Sequence, residues 1–189
     1  MMIKILRNVL VLFFVGLVNL SFSQKLYVWC PTYLPDLELQ NEILNDSNID
    51  VIIKDTRILT HRSKIKCLSE SIQSSVVELI ALNFPKSRVQ LIEESKMDRS
   101  TAKLIIMIEM NNYNSHFSSP LWYGQTGFVV KITNRFLAEN QTKSKEIHWI
   151  TREQNMWGLK SGKKALQYSF ELAANDLINF IYEISTMIN

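Results

Sequence analysis

The sequence predicts an α/β protein of two layers, in which a mixed sheet of five to six strands carries two long helices on one face. Three observations predict this class: a strand, helix and strand in succession, a long antiparallel hairpin, and a closing amphipathic helix. The 189 residues are 47% hydrophobic and 21% charged, which excludes a disordered or low-complexity chain.

Two strands are predicted in the first part of the chain. Leu26–Trp29 is a short β-prone run that ends at Cys30-Pro31, because proline cannot donate to a ladder. Pro31–Asn48 is predicted to be a loop with at most one helical turn, at Leu37–Leu44. Ile49–Lys54 is continuously apolar at its centre, which is typical of a strand buried on both faces.

A helix is predicted over Ser63–Asn83. Apolar residues recur there at steps of three and four positions, and they are Ile65, Leu68, Ile72, Val76, Leu79 and Ile80. Ser63 can cap the first turn, and Pro85 cannot continue the helix. Val89–Ile92 follows as a strand, so a parallel pair joined by a right-handed crossover is expected.

The second half of the chain predicts a central strand and a hairpin. Ala102–Met110 is apolar on both faces and is placed centrally. A polar and aromatic loop is expected over Asn111–Thr126. Gly127–Leu137 and Ile147–Arg152 are predicted to form a long hairpin around Glu139–Lys145. Its first arm places Phe128, Val130 and Ile132 on one face, as a half-exposed antiparallel strand does.

The last element is predicted to be a helix over Gly162–Met187 that covers the sheet. Its apolar stripe contains Leu166, Phe170, Ala173, Leu177, Phe180, Ile181, Ile184 and Ile188. No internal repeat or linker is visible, so residues 24–189 are expected to form one domain.

The first 23 residues have the pattern of a cleaved signal peptide. Lys4 and Arg7 precede an apolar stretch, Val9–Leu20, and small residues stand just before Gln24, where cleavage is expected. The alternative is a membrane anchor, but the stretch is shorter than the roughly 20 residues that cross a bilayer. No small residues precede Cys30, so a lipid anchor is not expected. Since the chain is also rich in Ile, Asn and Lys, as in AT-rich bacterial genomes, we expect a periplasmic or secreted protein of a Gram-negative envelope.

The charge of the chain gives no indication of nucleic-acid binding. The formal charge of +3 comes from 21 basic and 18 acidic residues, and removing Lys4 and Arg7 leaves 19 against 18, or +1. Proteins that bind nucleic acids normally neutralise several phosphates. The one local basic cluster, Lys160, Lys163 and Lys164, is interpreted as a solvated helix start.

Cys30 and Cys67 are expected to form a disulfide, because both lie in the exported part and an even count in an oxidising compartment favours pairing. The alternative is two buried free thiols. Two cysteines without clustered histidines do not make a four-ligand zinc site.

No catalytic motif is present, and no catalytic residue, cofactor or metal site is predicted. The nearest approach to an acid/base cluster is Asp55, Arg57, His61 and Arg62, just after the second strand. The simpler interpretation is an ion pair among solvated loop charges. His116 and His148, with Glu146 or Glu153, are the candidates for metal ligands, but the two histidines are far apart in sequence and lack the ligand spacing of a helix or turn. His148 is expected to face solvent on the hairpin.

Aromatic residues in the loop at 111–128 and in the turn before the last helix form the best predicted contact patch. The candidate partner-binding residues are Tyr113, Trp122, Tyr123 and Trp157. The alternative is that Phe117, Leu121 and Trp122 fold back on the core.

The order of elements over Ile49–Ser185 resembles that of small bacterial envelope domains. These are the outer-membrane lipoprotein of lipopolysaccharide assembly, the auxiliary lipoproteins of lipid-transport ABC systems, and the amino-terminal domain of the Tol-Pal propeller protein. The matching pattern runs from Ile49-Asp50-Val51-Ile52-Ile53 and Asp55-Thr56-Arg57 to the closing helix. The resemblance implies an accessory that binds a larger envelope protein.

We therefore expect a non-enzymatic exported protein that binds an envelope protein partner, through the aromatic loop and the open face of the sheet. Two alternatives remain at this point. One is a hydrolase of cell-wall or glycan material that uses Asp55 and His61, and the other is a carbohydrate- or lipid-binding module that uses Trp122 and Tyr123.

Overall fold

The computed structural model describes residues 24–37, 44, 46–60, 62–135 and 141–187. The predicted signal peptide, most of the predicted turn at 37–44, His61 and the end of the long hairpin at 136–140 lie outside these residues.

The described part of the chain contains seven strands and two α-helices. The strands are β1 (Leu26–Val28), β2 (Asn48–Asp55), β3 (Lys64–Ile65), β4 (Arg88–Leu91), β5 (Leu104–Ser118), β6 (Leu121–Asn134) and β7 (Gln141–Gln154). The helices are α1 (Ser69–Asn83) and α2 (Leu159–Thr186), and a 3-10 helix spans Glu94–Arg99.

All seven strands belong to one mixed sheet with β5 at its centre. The first half of β5 runs parallel to β2, and its last residues run antiparallel to β1 on the same side. β6 pairs antiparallel with β5 on the other side, and β7 pairs with β6. β4 lies parallel beyond β2, and α1 connects these two strands. The predicted α/β class and the central place of Ala102–Met110 are confirmed.

Both helices pack on one side of the sheet, which we call the inner face. Their apolar stripes join the inward residues of the strands in one large core. A smaller cluster of Ile52, Ala102 and Ile105 lies on the opposite, outer face, where Met97 of the 3-10 helix packs against it. β2 and β5 carry apolar residues on both sides, because the α-helices cover the inner face of these strands and the 3-10 helix covers their outer face.

Helix α1 begins at Ser69, six residues later than predicted. Lys64 and Ile65 form β3 and pair in parallel with Tyr27 and Val28 of β1. Cys67 is bonded to Cys30, with their Cα atoms 4.9 Å apart. These contacts hold the segment extended, although its apolar spacing also suits a helix. The predicted end at Asn83 is confirmed.

The predicted loop at 111–126 is wrong, because β5 and β6 continue through it as a hairpin. Asn112 pairs with Gly127, and the ladder runs to Ser118 and Leu121. Tyr113 and Ser115 are buried, while His116 lies on the outer face, half-buried. The polar residues that suggested a loop belong to the alternation of a strand with one face towards solvent.

Candidate functional site

Two of the four predicted partner-binding residues lie in the protein interior. Tyr113 is buried, and its hydroxyl donates a hydrogen bond to the carbonyl oxygen of Trp29 at 2.9 Å. Trp122 is also buried; its indole nitrogen donates to Asn155 Oδ1 at 2.9 Å. Its ring fills the space that the absent side chain of Gly162 leaves on α2. Trp122 therefore folds back on the core, as the alternative interpretation of this segment expected. Its ring points to the inner face, which helix α2 covers.

The third residue, Tyr123, lies in a row across the outer face. It is flanked by His116 on β5, whose ring stacks on it with centroids 5.3 Å apart, and by Arg152 on β7, 5.6 Å from the ring centroid. Burial lowers the pKa of His116, which favours the neutral imidazole. Since both ring faces of Tyr123 are occupied within the row, the ring offers no open platform for a sugar.

A pocket of about 330 Å³ opens on the outer face beside this row. Its lining combines amide side chains with a histidine and two aliphatic residues, namely Gln24, Leu26, Ile58, Asn111, Asn112, Asn114, His116 and Gln125. The side-chain amide oxygens (Oδ1) of Asn111 and Asn114 are buried and accept no hydrogen bond within the described part of the chain. Buried acceptors without a partner cost about 1–3 kcal/mol each, so a donor from outside the described chain, either a water molecule or a ligand, would stabilise both oxygens.

A β-bulge in β5 produces this arrangement. The register shifts between Met110 and Asn112, so Asn111 is the extra residue of the bulge. Its Oδ1 lies where a side chain on Gly127 would stand. Sequence reasoning missed these asparagines, although their density directly after a buried strand is an available signal.

Ile58 adds an exposed apolar side chain at the rim of the pocket. It is 86% exposed, the highest value among the large hydrophobic residues that the structure describes. It follows Arg57 in the segment that leaves β2, and sequence reasoning did not select it. A fully solvated isoleucine beside unpaired amide oxygens is a combination that a protein partner can cover.

The predicted acid/base cluster is an ion pair at the end of β2. Arg57 Nε and Nη2 donate to the two carboxylate oxygens of Asp55 at 2.7 and 2.6 Å, and Ser69 Oγ at the start of α1 donates to Oδ2 at 2.5 Å. Burial alone would raise the pKa of Asp55, but the hydrogen bonds from Arg57 and Ser69 and the charge of Arg57 lower it from 3.8 to about 2. A carboxylate held in this way is a weak proton acceptor at neutral pH. His61, its proposed partner in the hydrolase alternative, lies outside the described residues.

The histidines considered as metal ligands lie apart on the outer face. His116 pairs with Tyr123 across the β5–β6 ladder, whereas His148 pairs with Gly127 and is exposed, as expected. Within the ranges that the structure describes, no three His, Cys, Asp or Glu side chains are grouped as metal ligands.

The fourth predicted contact residue, Trp157, stands in the turn between β7 and α2. It is exposed, as are its neighbours Met156 and Leu159. The same turn borders a groove of about 600 Å³ that is lined by Arg152, Glu153, Gln154, Met156, Trp157, Lys160, Ser161 and Lys164. Trp157 lines this groove and is not among the residues that line the pocket.

The disulfide predicted between Cys30 and Cys67 is present. Disulfides of this kind are typical of exported proteins. In the described ranges, neither helix combines the length and the apolar character that crossing a bilayer requires.

No protein-family model matches the sequence, and no curated protein is similar to it. Among solved structures, a crystal structure of an uncharacterized protein matches with a TM-score of 0.51 and 9% identity, over 85% of this chain and 99% of that one. A hypothetical protein from Chlamydia trachomatis matches with a TM-score of 0.45 and 8% identity, over 75% and 99% of the two chains. A lipoprotein from Neisseria meningitidis matches with a TM-score of 0.38 and 9% identity, over 70% and 99%.

At 9% identity the first of these matches shows a shared fold alone, and nothing about function is drawn from the other two. The solved structures similar to this chain include bacterial lipoproteins. None of the three groups of envelope domains that the order of elements resembles is confirmed as its family.

Proposed function

We propose that the protein is a non-enzymatic component of the bacterial cell envelope, exported by its signal peptide, and that it binds an extended segment of another envelope protein in the outer-face pocket. The observation that carries the proposal is the pair of buried, unpartnered side-chain amide oxygens of Asn111 and Asn114 beside the exposed side chain of Ile58. Export rests on the sequence of residues 1–23 and agrees with the disulfide.

A peptide segment can supply both kinds of contact that this pocket offers, hydrogen bonds and apolar packing. Its backbone N–H groups donate to the amide oxygens of Asn111 and Asn114, which have no other donor in the described chain. Its apolar side chains cover Ile58 and Leu26. A saccharide would supply hydroxyl donors as well, but the ring faces of Tyr123 next to the pocket are occupied by His116 and Arg152. The pocket therefore favours a peptide over a sugar.

Photo-crosslinking in the producing cells tests the proposal. A photoreactive amino acid at position 58 is expected to give one adduct of defined mass, whereas the same group at Leu82 on α1, also exposed, is expected to give none. The adduct at position 58 should disappear when the chain also carries Asn114→Leu, which removes the unpaired acceptor. A thermal melt of each variant confirms that it is folded.

Three outcomes would overturn the proposal. One is equal adduct formation at positions 58 and 82, and another is an adduct that survives Asn114→Leu in a folded chain. The third is an adduct of twice the mass of the protein, which would assign the pocket to self-association.

A further inference from the structure

The turn between β7 and α2 presents apolar side chains that no part of the described fold covers. Met156, Trp157 and Leu159 are 70%, 73% and 54% exposed. They follow one another at the end of the sheet, and none belongs to either core cluster. Large apolar residues grouped in this way mark an interaction site more often than single exposed residues do.

Positive charge surrounds these side chains. Arg152, Lys160 and Lys164 line the groove at the turn, and Glu153 is its one acidic lining residue. Glu153 is already paired with Lys164 at 3.2 Å, and Lys163 beside it is exposed. Because residues 24–189 carry a formal charge of only +1, from 19 basic and 18 acidic residues, this excess is a local property of the turn.

The turn lies at the end of the molecule where the described chain begins. Gln24 Nε2 donates to the carbonyl oxygen of Phe117 at 3.3 Å, near the end of β5. The backbone N–H of Asn155 donates to the carbonyl oxygen of Pro120 in the adjoining β5–β6 turn at 3.2 Å. The turn therefore stands beside the β5–β6 turn, at the same end of the sheet as Gln24.

We infer that the turn Met156–Lys164 docks on the surface of a bilayer that contains anionic phospholipid. The side chains of Met156, Trp157 and Leu159 enter the headgroup region, and Lys160 and Lys163 lie against the lipid phosphates. Tryptophan is enriched both at membrane–water interfaces and in protein–protein interfaces, so the lysines decide between the two. Lysine is depleted in protein–protein interfaces and is attracted to anionic lipid, which favours lipid over a protein partner. The inference goes beyond the proposed function, which uses the pocket on the outer face.

Co-sedimentation with lipid vesicles tests the inference. The exported chain, purified without detergent and with its disulfide intact, is mixed with vesicles of phosphatidylcholine alone or with phosphatidylglycerol added. Binding is expected with the anionic vesicles at low salt, and it should weaken as salt is added. Lys160→Ala and Lys163→Ala are each expected to weaken binding about fivefold, and Trp157→Ser about tenfold or more.

Matched variants serve as controls. Lys86→Ala with Arg88→Ala removes two positive charges at the opposite end of the sheet, as the double variant Lys160→Ala with Lys163→Ala does at the turn. Ile58→Ser removes an apolar side chain that is 86% exposed at the pocket. Both controls are expected to bind anionic vesicles as the unchanged chain does. Trp157→Ser should in turn retain the adduct formed at position 58, so the two proposals can fail separately.

Binding to neither kind of vesicle would overturn the inference. So would equal binding to neutral and anionic vesicles, or a loss with Lys86→Ala and Arg88→Ala as large as the loss with Lys160→Ala and Lys163→Ala.

Discussion

Asp55 and Arg57 stand two positions apart in the sequence, and the fold joins them in one ion pair. The side chain of Arg57 is 3% exposed, so its charge depends on the carboxylate of Asp55 for compensation. The sequence predicted an ion pair here as the simpler of two interpretations. It did not predict the contribution of Ser69, which lies 14 positions further on and reaches Asp55 only because α1 starts beside the end of β2.

Asp55→Asn is expected to lower the free energy of unfolding by about 2 kcal/mol at pH 7, because it leaves the Arg57 guanidinium without its counter-ion. The pKa of Asp55 is lowered in the folded state, so its stabilising contribution is complete above about pH 4 and is lost as the pH falls towards 2. Urea unfolding at pH 7, 4, 3 and 2 measures this. The difference between the original chain and the variant should shrink below pH 4, and a constant difference would contradict the assignment.

At the scale of the elements, the contact between α2 and β6 depends on two glycines. A Cβ atom on Gly124 would collide with the backbone of Ala165 and Leu166, and a Cβ atom on Gly162 would collide with the ring of Trp122. Thr151 on β7 also donates to the carbonyl oxygen of Ala165 at 2.5 Å. The first turns of α2 thus lie directly on the hairpin, and this close approach explains why Trp122 is covered.

Gly124→Ala is expected to destabilise the protein by about 3 kcal/mol, because the added atom meets backbone that cannot move aside without shifting α2. Lys163→Ala, at an exposed position of the same helix, is the control and is expected to change the free energy of unfolding by less than about 0.5 kcal/mol. Chemical denaturation of both variants measures the difference. A loss at Gly124→Ala no larger than the loss at Lys163→Ala would show that α2 does not depend on the close approach at Gly124.

The sequence predicts which segments form strands better than it predicts where those strands end. The buried runs of β2 and β5 were recognised because apolar residues on two faces leave few alternatives. The extension of β5 and β6 through 111–126 was missed because their pairing partners, rather than local apolar character, keep these polar residues extended. The start of α1 was missed for a related reason, since pairing with β1 overrides the helical spacing at Ile65.

At the scale of the whole molecule, one disulfide ties the two short strands to the main body. Cys30 follows β1 and Cys67 precedes α1, and 37 positions separate them. The backbone N–H of Lys66 also donates to the carbonyl oxygen of Val28 at 2.8 Å. The edge formed by β1 and β3 is therefore held by very few backbone hydrogen bonds and by this covalent link.

Replacing both cysteines by alanine is expected to lower the free energy of unfolding by about 4 kcal/mol, because the unfolded chain gains the freedom of an open loop of this length. Equilibrium urea unfolding measures the loss. Reduction of the original chain before unfolding is the control and should shift the midpoint by a similar amount. An unchanged midpoint in both experiments would mean that the bridge contributes nothing to stability.

The sequence by itself determined the α/β class, the strand–helix–strand order, the closing helix and the cysteine pair, because each depends on a local pattern or on a small count. The tertiary structure alone decided which aromatic residues are covered and which polar groups meet. Tyr113 and Trp122 are buried by a helix that begins some 40 positions further along the chain, whereas Asn111, Asn114 and Ile58 come together through a bulge and the exit of β2. Contacts between distant segments depend on the register of the strands and on how closely the helices pack on the sheet. Neither can be predicted from a local sequence pattern.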